Sequence, residues 1–343
     1  MTKKVKILRG AFQNREASLL YLKSMKSRIY PIFALMLEQN SSKKYLVVIG
    51  GATASGKTRL AIEVAKHFKT AIISADSRQF YREMSIGTAK PTAEELAEAP
   101  HHFVGNLSIH DYYSVGDFER EALAVLDKIF EKNNIAVMVG GTGLFLRAVC
   151  EGLDEFPETP LSIRQHFEDM YKNEGIEPLQ KLLQSVDPEY FALVDQQNPM
   201  RLTRALAVWK SSGKPFSSFR TQAKKTRDFE PIYIATDMER SILYQRINKR
   251  VDLMMAEGLL TEAENLWGYQ NLNALQTVGY QELFDYFDRK TTVEEAVDKI
   301  KQHSRNYAKR QATWFRKEAH WTRFEPSNTE GVINFISSKF VNV

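Results

Sequence analysis

The stretch that most constrains the fold is Gly51-Ala52-Thr53-Ala54-Ser55-Gly56-Lys57-Thr58. It follows the apolar run Tyr45-Leu46-Val47-Val48-Ile49 and leads into Leu60, Ala61, Val64, Ala65 and Phe68, which are spaced for one helix face. Strand, glycine-rich turn and helix in that order, with the spacing G-x4-G-K-T, make a phosphate-binding loop. The glycines let the backbone curl so that successive N–H groups point at an anion, and the helix that follows adds the positive end of its dipole. Residues 51–58 therefore read as a di- or triphosphate site. Lys57 is placed to reach the outer phosphates, and the Thr58 hydroxyl to hold a Mg²⁺.

A chain of 343 residues with 43% hydrophobic content buries a sizeable core and is long enough for more than one domain. Its one cysteine, Cys150, excludes a disulfide framework and a cysteine-rich zinc site. No apolar run approaches the length of a membrane span, so the expectation is a soluble, cytoplasmic protein with no membrane partner. The net charge of +5 is unevenly placed: residues 1–44 carry a net +8 and the remaining 299 a net −3. Any nucleic-acid surface on the body of the protein must then be a local patch. The basic, acid-poor residues 1–43 fit a transit peptide or sequence upstream of a start at Met36, and we expect a dispensable extension.

Beyond the loop, Thr70–Ala75 reads as a short buried strand ending at Asp76, and residues 77–91 as a long loop over the carboxyl edge of a sheet. An amphipathic helix over 117–131, capped by Asp117, precedes the strand Ile135–Val139 and the turn Gly140-Gly141-Thr142-Gly143. Strands alternating with helices predict an α/β protein with a parallel, P-loop NTPase-like sheet flanked by helices. From 155 to 228 the strand signal disappears, and prolines at 157, 160, 178, 188, 199 and 215 divide a polar helical stretch. That stretch reads as an all-helical insertion between core segments 44–154 and 229–325. The strand Ile232–Ala235 returns to the sheet, helices follow over 239–267 and 293–317, and the tail 326–343 ends in a helix over 330–340.

The P-loop, Asp76 and Gly140-Gly141-Thr142 meet at one sheet edge. Asp76 is either a magnesium carboxylate, a base that takes a proton from an acceptor, or a turn aspartate. Gly140 stands where a motor or GTPase would carry its carboxylate after Val139, which leaves a small transferase or kinase. Thr142 either offers its hydroxyl to a substrate or belongs to a tight turn. Arg250 lies one turn from Arg246 and reads equally as a solvated helix charge. Lys301, Arg305 and Lys309 share a helix face with Tyr307 and Trp314 nearby, a combination suited to RNA but also to plain surface. His101-His102 has no companion at ligand spacing and reads as structural.

The ordered motifs resemble the tRNA dimethylallyltransferases (tRNA isopentenyltransferases) of bacterial type. They are the P-loop, Asp76-Ser77-Arg78-Gln79, Gly87–Pro91, Val139–Thr142, Arg201–Leu206, Arg250-Val251-Asp252 with Met254, Val278-Gly279-Tyr280 and Lys309–Arg316. The resemblance runs from about residue 45 to 325. It implies transfer of the five-carbon group of dimethylallyl diphosphate to N6 of adenosine 37 in tRNAs that read codons beginning with U. It assigns Lys57, Arg250 and residues 51–58 to the diphosphate, Thr58 to Mg²⁺, Asp76 to the base and Thr142 to positioning. It assigns tRNA contacts to Asp76, Ser77, Arg78, Gln79 and Thr142, and in the insertion, which would clasp the anticodon stem, to Arg164, Met200, Arg201, Leu202, Thr203 and Arg204. Further tRNA contacts fall on Gln276, Thr277, Val278, Gly279, Tyr280 and Gln281, and on Lys309, Arg310, Gln311, Thr313, Trp314 and Arg316. Two positions depart from the family: Ala52 replaces a proline, and Gln281 replaces an arginine that removes a cation from the implied tRNA surface. The competing readings are a small-molecule kinase with Asp76 as base, and an RNA-binding protein with a decayed site. Nothing in the sequence demands an oligomer, so we expect a monomer.

Overall fold

The structure is a computed structural model that describes residues 43–221 and 224–341. The expected N-terminal extension therefore lies, but for Lys43, outside the described residues. The core begins with β1 (Tyr45–Gly50), the phosphate loop and α1 (Lys57–Phe68), then β2 (Ile72–Ser74), α2 (Ala93–Glu98) and β3 (His101–His102). It continues through α3 (Val115–Phe130), β4 (Ile135–Gly140) and α4 (Gly143–Glu151). The helices α5 (Leu161–Glu174), α6 (Glu177–Val186), α7 (Pro188–Leu193) and α8 (Pro199–Ser212) follow. Then come β5 (Glu230–Thr236), α9 (Arg240–Ala256), α10 (Leu259–Leu266), α11 (Tyr280–Phe287), α12 (Val293–Lys317), β6 (Thr322–Phe324) and α13 (Thr329–Val341).

The six strands lie in the order β3-β2-β4-β1-β5-β6, and every pairing is parallel. β1 is central: Val47 pairs with Val137 of β4 on one side and with Ile232 of β5 on the other. All six of its residues are buried, which is why its sequence is a continuous apolar run and not an alternation. On one face Leu46, Val48 and Met138 pack with Phe118 and Leu126 of α3 and Leu146 of α4. On the other, Val47, Ile49 and Val137 pack with Leu60 and Val64 of α1 and with Val332 and Ile336 of α13. This layering brings Gly50, Ser74, Gly140 and Thr236 to neighbouring strand ends, so the loops that follow them share one edge.

Three local expectations are corrected. Ser114, not Asp117, caps α3: its hydroxyl accepts from the Asp117 N–H while the Asp117 carboxylate accepts from the Ser114 N–H, a reciprocal box. The helix expected over 239–267 breaks into α9 and α10 at Gly258, whose φ of 104° lies outside the helical region. The short strands β3 and β6 and the helix α2 have too little periodicity to read locally, and two- and three-residue strands are defined by their partners; α11 does carry a helical period in Tyr280, Leu283, Phe284 and Phe287.

Residues 151–226 form a compact unit of their own, distinct from the remainder. It opens at Glu151, because the Lys225 N–H donates to the Glu151 carbonyl at 2.8 Å, and it closes before Arg227. Arg227 belongs to the sheet-bearing unit, where it pairs with Glu119 at 2.6 Å. The helical unit has a separate core of Phe167, Leu179, Leu183, Leu202, Leu206 and Phe216. Its buried Asp187 accepts from the N–H groups of Tyr190 (3.0 Å) and Ser217 (2.7 Å), fixing α7 against the segment after α8.

Candidate active site

The phosphate loop holds the backbone its sequence requires. Gly56 caps α1 with φ 88°, and Ala54 also lies in the left-handed region at φ 61°, a strained choice for a residue with a Cβ. Behind the loop the buried Ser55 and Thr236 hydroxyls meet at 2.6 Å, so a Cβ at Gly51 would strike the Thr236 hydroxyl. Lys57 Nζ donates to the Ala52 carbonyl at 3.2 Å and stays over the loop. Burial pushes its ammonium down to about 8; Asp76 pulls the other way, and Arg250 adds to the depression.

In front of the loop lies a cavity of about 190 Å³. Thr53, Ala54, Gly56, Lys57 and Thr58 line it together with Asp76, Gln79, Gly140, Arg246 and Arg250. Helix α9 supplies both arginines one turn apart; burial and the neighbouring Arg246 hold the Arg250 guanidinium below its ordinary value. A concave wall of N–H groups with one ammonium and two guanidinium groups suits a compact polyanion. The Gly51, Ala52 and Ser55 part of the loop faces a second, smaller cavity of about 120 Å³ instead.

Asp76 leaves β2 at the cavity wall, and its Oδ1 accepts from the Arg78 N–H at 3.0 Å. This is the turn contact that sequence reasoning allowed for, and it leaves the second carboxylate oxygen free for chemistry. Gly140 adjoins Asp76 because a Cβ there would collide with the Ala75 backbone, so β4 approaches β2 closely at this end. The Tyr307 phenol of α12 lies beside the Thr142 side chain, and local burial, followed by the Asp76 charge, raises its pKa. Thr142, Tyr307 and Asp76 thus stand together beside the phosphate loop.

Among the described residues no cluster of three or more His, Cys, Asp or Glu side chains is arranged to hold a metal. A Mg²⁺ shared with bound phosphates keeps waters and needs only one or two protein oxygens. Thr58 and Asp76, on one cavity, are of the right type.

The residues assigned to tRNA divide sharply. Met200, Arg201 and Arg204 lie exposed at the start of α8, with Arg204 over the Phe156 ring, and Arg164 lies half-buried on α5. Thr203 returns its hydroxyl to the Met200 carbonyl. Lys309, Arg310, Thr313 and Arg316 are exposed on α12, as are Gln276 and Gln281, whose amides meet at 2.7 Å. Ser77, Thr277 and Val278 are half-buried and Gly279 is buried. Three of these side chains lie inside the protein: Leu202 and Tyr280 are fully buried, and Gln311 is buried against the loops. Trp314 packs on Gly143, and a Cβ at that glycine would strike its indole. Arg78 and Gln79 also serve the protein itself. The Arg78 guanidinium donates to the carbonyls of Asn273 (2.8 Å), Ala274 (3.0 Å) and Gln276 (3.3 Å), and the Gln79 amide to those of Thr88 (3.2 Å) and Ala89 (2.9 Å). Two of the expected basic-face residues are likewise engaged: Lys301 pairs with Asp252 and Arg305 bonds Asn248, each at 2.6 Å.

The sequence model of the IPP transferase family matches residues 79–318. The tRNA dimethylallyltransferase of Christiangramia forsetii is 52% identical over 297 residues, 86% of this chain and 98% of that one. Among solved structures, the tRNA isopentenylpyrophosphate transferase of Bacillus halodurans superposes with a TM-score of 0.65 at 37% identity, over 87% of this chain and 97% of that one. A eukaryotic dimethylallyltransferase acting on tRNA shares the fold, with a TM-score of 0.73 at 23% identity over 87% of this chain and 78% of that one.

Proposed function

The chain belongs to the IPP transferase family, the tRNA dimethylallyltransferases, and on that basis we propose that it prenylates adenosine 37 of tRNAs reading codons that begin with U. It is a prenyltransferase that modifies tRNA. The donor in this reading is dimethylallyl diphosphate, and the products are N6-dimethylallyladenosine and diphosphate. The observation that carries the reading is the placement of Lys57, Thr58, Arg250 and Asp76 on one cavity, with glycine at 140 where a nucleotide hydrolase needs a carboxylate.

The C1–O bond of the donor breaks with its electron pair leaving on the diphosphate, and the N6 lone pair of adenine forms the new C1–N bond. Positive charge spreads over the allyl group as the anion departs, so stabilising the leaving group lowers the barrier most. The loop N–H groups, Lys57 and Arg250 are arranged for that charge. Mg²⁺, held by the Thr58 hydroxyl, would neutralise further diphosphate charge when bound. The adenine amine is a weak nucleophile because its lone pair is delocalised into the ring, and it must lose a proton as it alkylates. Asp76 takes that proton. Thr142, beside Tyr307, orients the acceptor. The anticodon loop is single-stranded, so turning its base into a pocket costs little. Exposed Arg201, Arg204, Lys309, Arg310 and Arg316 supply cations for its phosphates. One copy of the chain builds the cavity, and no helix of the described residues is long and apolar enough to cross a membrane. A monomer acting in the cytoplasm is part of the same proposal.

The test is transfer of radiolabel from dimethylallyl diphosphate to an anticodon stem-loop bearing A36-A37-A38, with Mg²⁺. Label in the RNA with the natural protein, and a loss of at least about 100-fold in Asp76→Ala, is the expected result. Transfer that survives the substitution removes Asp76 from the base role. No transfer, with ATP hydrolysed in its place, gives the site to a kinase.

A further inference from the structure

Helix α12 reaches the phosphate loop and the loop carrying Thr142 with one stripe of residues. Ala308 packs on Ala52 and Ala54 of the phosphate loop, Trp314 on Gly143 and Phe315 on Gly50. Tyr307 lies beside Thr142. The positions 307, 308, 311, 314 and 315 are those of a single helical face. At its centre the buried Gln311 side chain bridges two loops: its Oε1 accepts from the Thr53 N–H at 2.8 Å, and its Nε2 donates to the Gly141 carbonyl at 2.9 Å.

The bridge explains Gly141. Its φ does not fall among the positive values, so no left-handed turn demands glycine there. A Cβ would instead strike Gln311 Nε2. The residue is a glycine because the amide needs the space. A neutral primary amide is also the one side chain of this length that accepts at one end and donates at the other, as an N–H and a C=O facing each other require.

We propose that Gln311 is a positioning residue that fixes the phosphate loop against the loop carrying Thr142, and so sets the distance between leaving group and acceptor amine. The inference rests on the transferase reading. Neither bond touches substrate. The effect belongs to alignment in the transition state, where a displacement of about 1 Å costs about 100-fold in rate.

Two variants separate alignment from packing. Gln311→Met keeps the volume and removes both bonds; Gln311→Glu keeps the acceptor and removes the donor. Prenyl transfer is measured at saturating substrates, with calorimetric binding of inorganic pyrophosphate and the thermal midpoint recorded on the same preparations. Both variants are expected to lose about 30- to 100-fold in kcat while pyrophosphate affinity stays within about threefold of the natural protein. Turnover by Gln311→Met at the natural rate overturns the proposal, because packing then suffices. A kcat loss matched by an equal loss of pyrophosphate affinity also overturns it, since the side chain would then serve the phosphate loop alone. Should Gln311→Met fail to fold, Gln311→Glu decides the matter by the same readings. Absence of transfer by the unsubstituted chain would sink the transferase reading instead, and that outcome is distinct from either of these.

Discussion

An ammonium pressed into a cavity of positive neighbours is held uncharged at modest alkaline pH, and an anion entering the cavity reverses that. Lys57 is such a group, with burial pushing it down to about 8 and the Arg250 charge helping. A diphosphate beside Nζ raises the value again. Between the two values the protein must take up a proton as it binds the anion; well below about 8 the lysine is already charged and takes up none. Calorimetric titration of pyrophosphate at about pH 8.7, in two buffers of different ionisation enthalpy, should show proton uptake that disappears at about pH 6.5 and in Lys57→Met. Equal heats in both buffers at the higher pH would mean that Lys57 keeps its proton throughout. A second residue-scale prediction concerns Gln281, exposed on α11 where the family pattern has arginine. Gln281→Arg should bind the stem-loop more tightly and steepen the slope of log affinity against log salt by about 0.7–0.9, the signature of one more neutralised phosphate. An unchanged slope would place residue 281 off the RNA path.

Elements are held to this site by contacts between residues far apart in the chain. The clearest is Glu262 of α10, whose carboxylate accepts from the N–H groups of Ser85 (2.9 Å), Ile86 (2.8 Å) and Gly87 (2.9 Å) and from the Tyr280 hydroxyl (2.7 Å). It fixes the loop over 77–91, whose Gln79 faces the phosphate cavity. Glu262→Gln turns one acceptor oxygen into a donor aimed at N–H groups, and should destabilise the protein by about 2 kcal/mol in denaturant unfolding. A change below about 0.5 kcal/mol would show that the loop holds without this carboxylate. These ties also mark where sequence reading stopped. The strand, loop and helix around residues 45–68 were legible because every signal is local: an apolar run, two glycines, a helical period. The bonds of Arg78 could not be read locally, because its acceptors, the carbonyls of Asn273, Ala274 and Gln276, lie on a segment almost two hundred residues away. Tyr280 and Leu202 sit in motif runs beside the exposed Gln281 and Arg201, and only burial separates them. The glycines at 140, 141 and 143 read as a turn, whereas each makes room for a close neighbour.

At the scale of the whole chain, the helical unit over 151–226 is separable in a physical sense. Its entry and exit are adjacent, with the Lys225 N–H on the Glu151 carbonyl and Lys224 paired to the Glu151 carboxylate at 2.7 Å. It carries its own core, including the fully buried Leu179, Leu183, Leu202 and Leu206. The sheet-bearing unit keeps its own cover as well, and every residue lining the phosphate cavity belongs to it. Prolines and the loss of strand signal made the insertion legible, while its limits depended on backbone contacts that no local pattern announces. Replacing residues 152–225 by a short Gly/Ser bridge should therefore leave a folded protein. Pyrophosphate affinity should stay within about twofold of the full chain, because the insertion supplies no residue to the phosphate cavity. Stem-loop affinity should fall by at least about tenfold, since Arg201 and Arg204 leave with the insertion and each phosphate contact carries salt-dependent affinity. Calorimetry with pyrophosphate and filter binding with the RNA measure the two losses on one preparation. Full retention of RNA affinity would confine recognition to α12 and the segment before α11, and loss of pyrophosphate binding would show that the sheet needs the insertion to hold its loops.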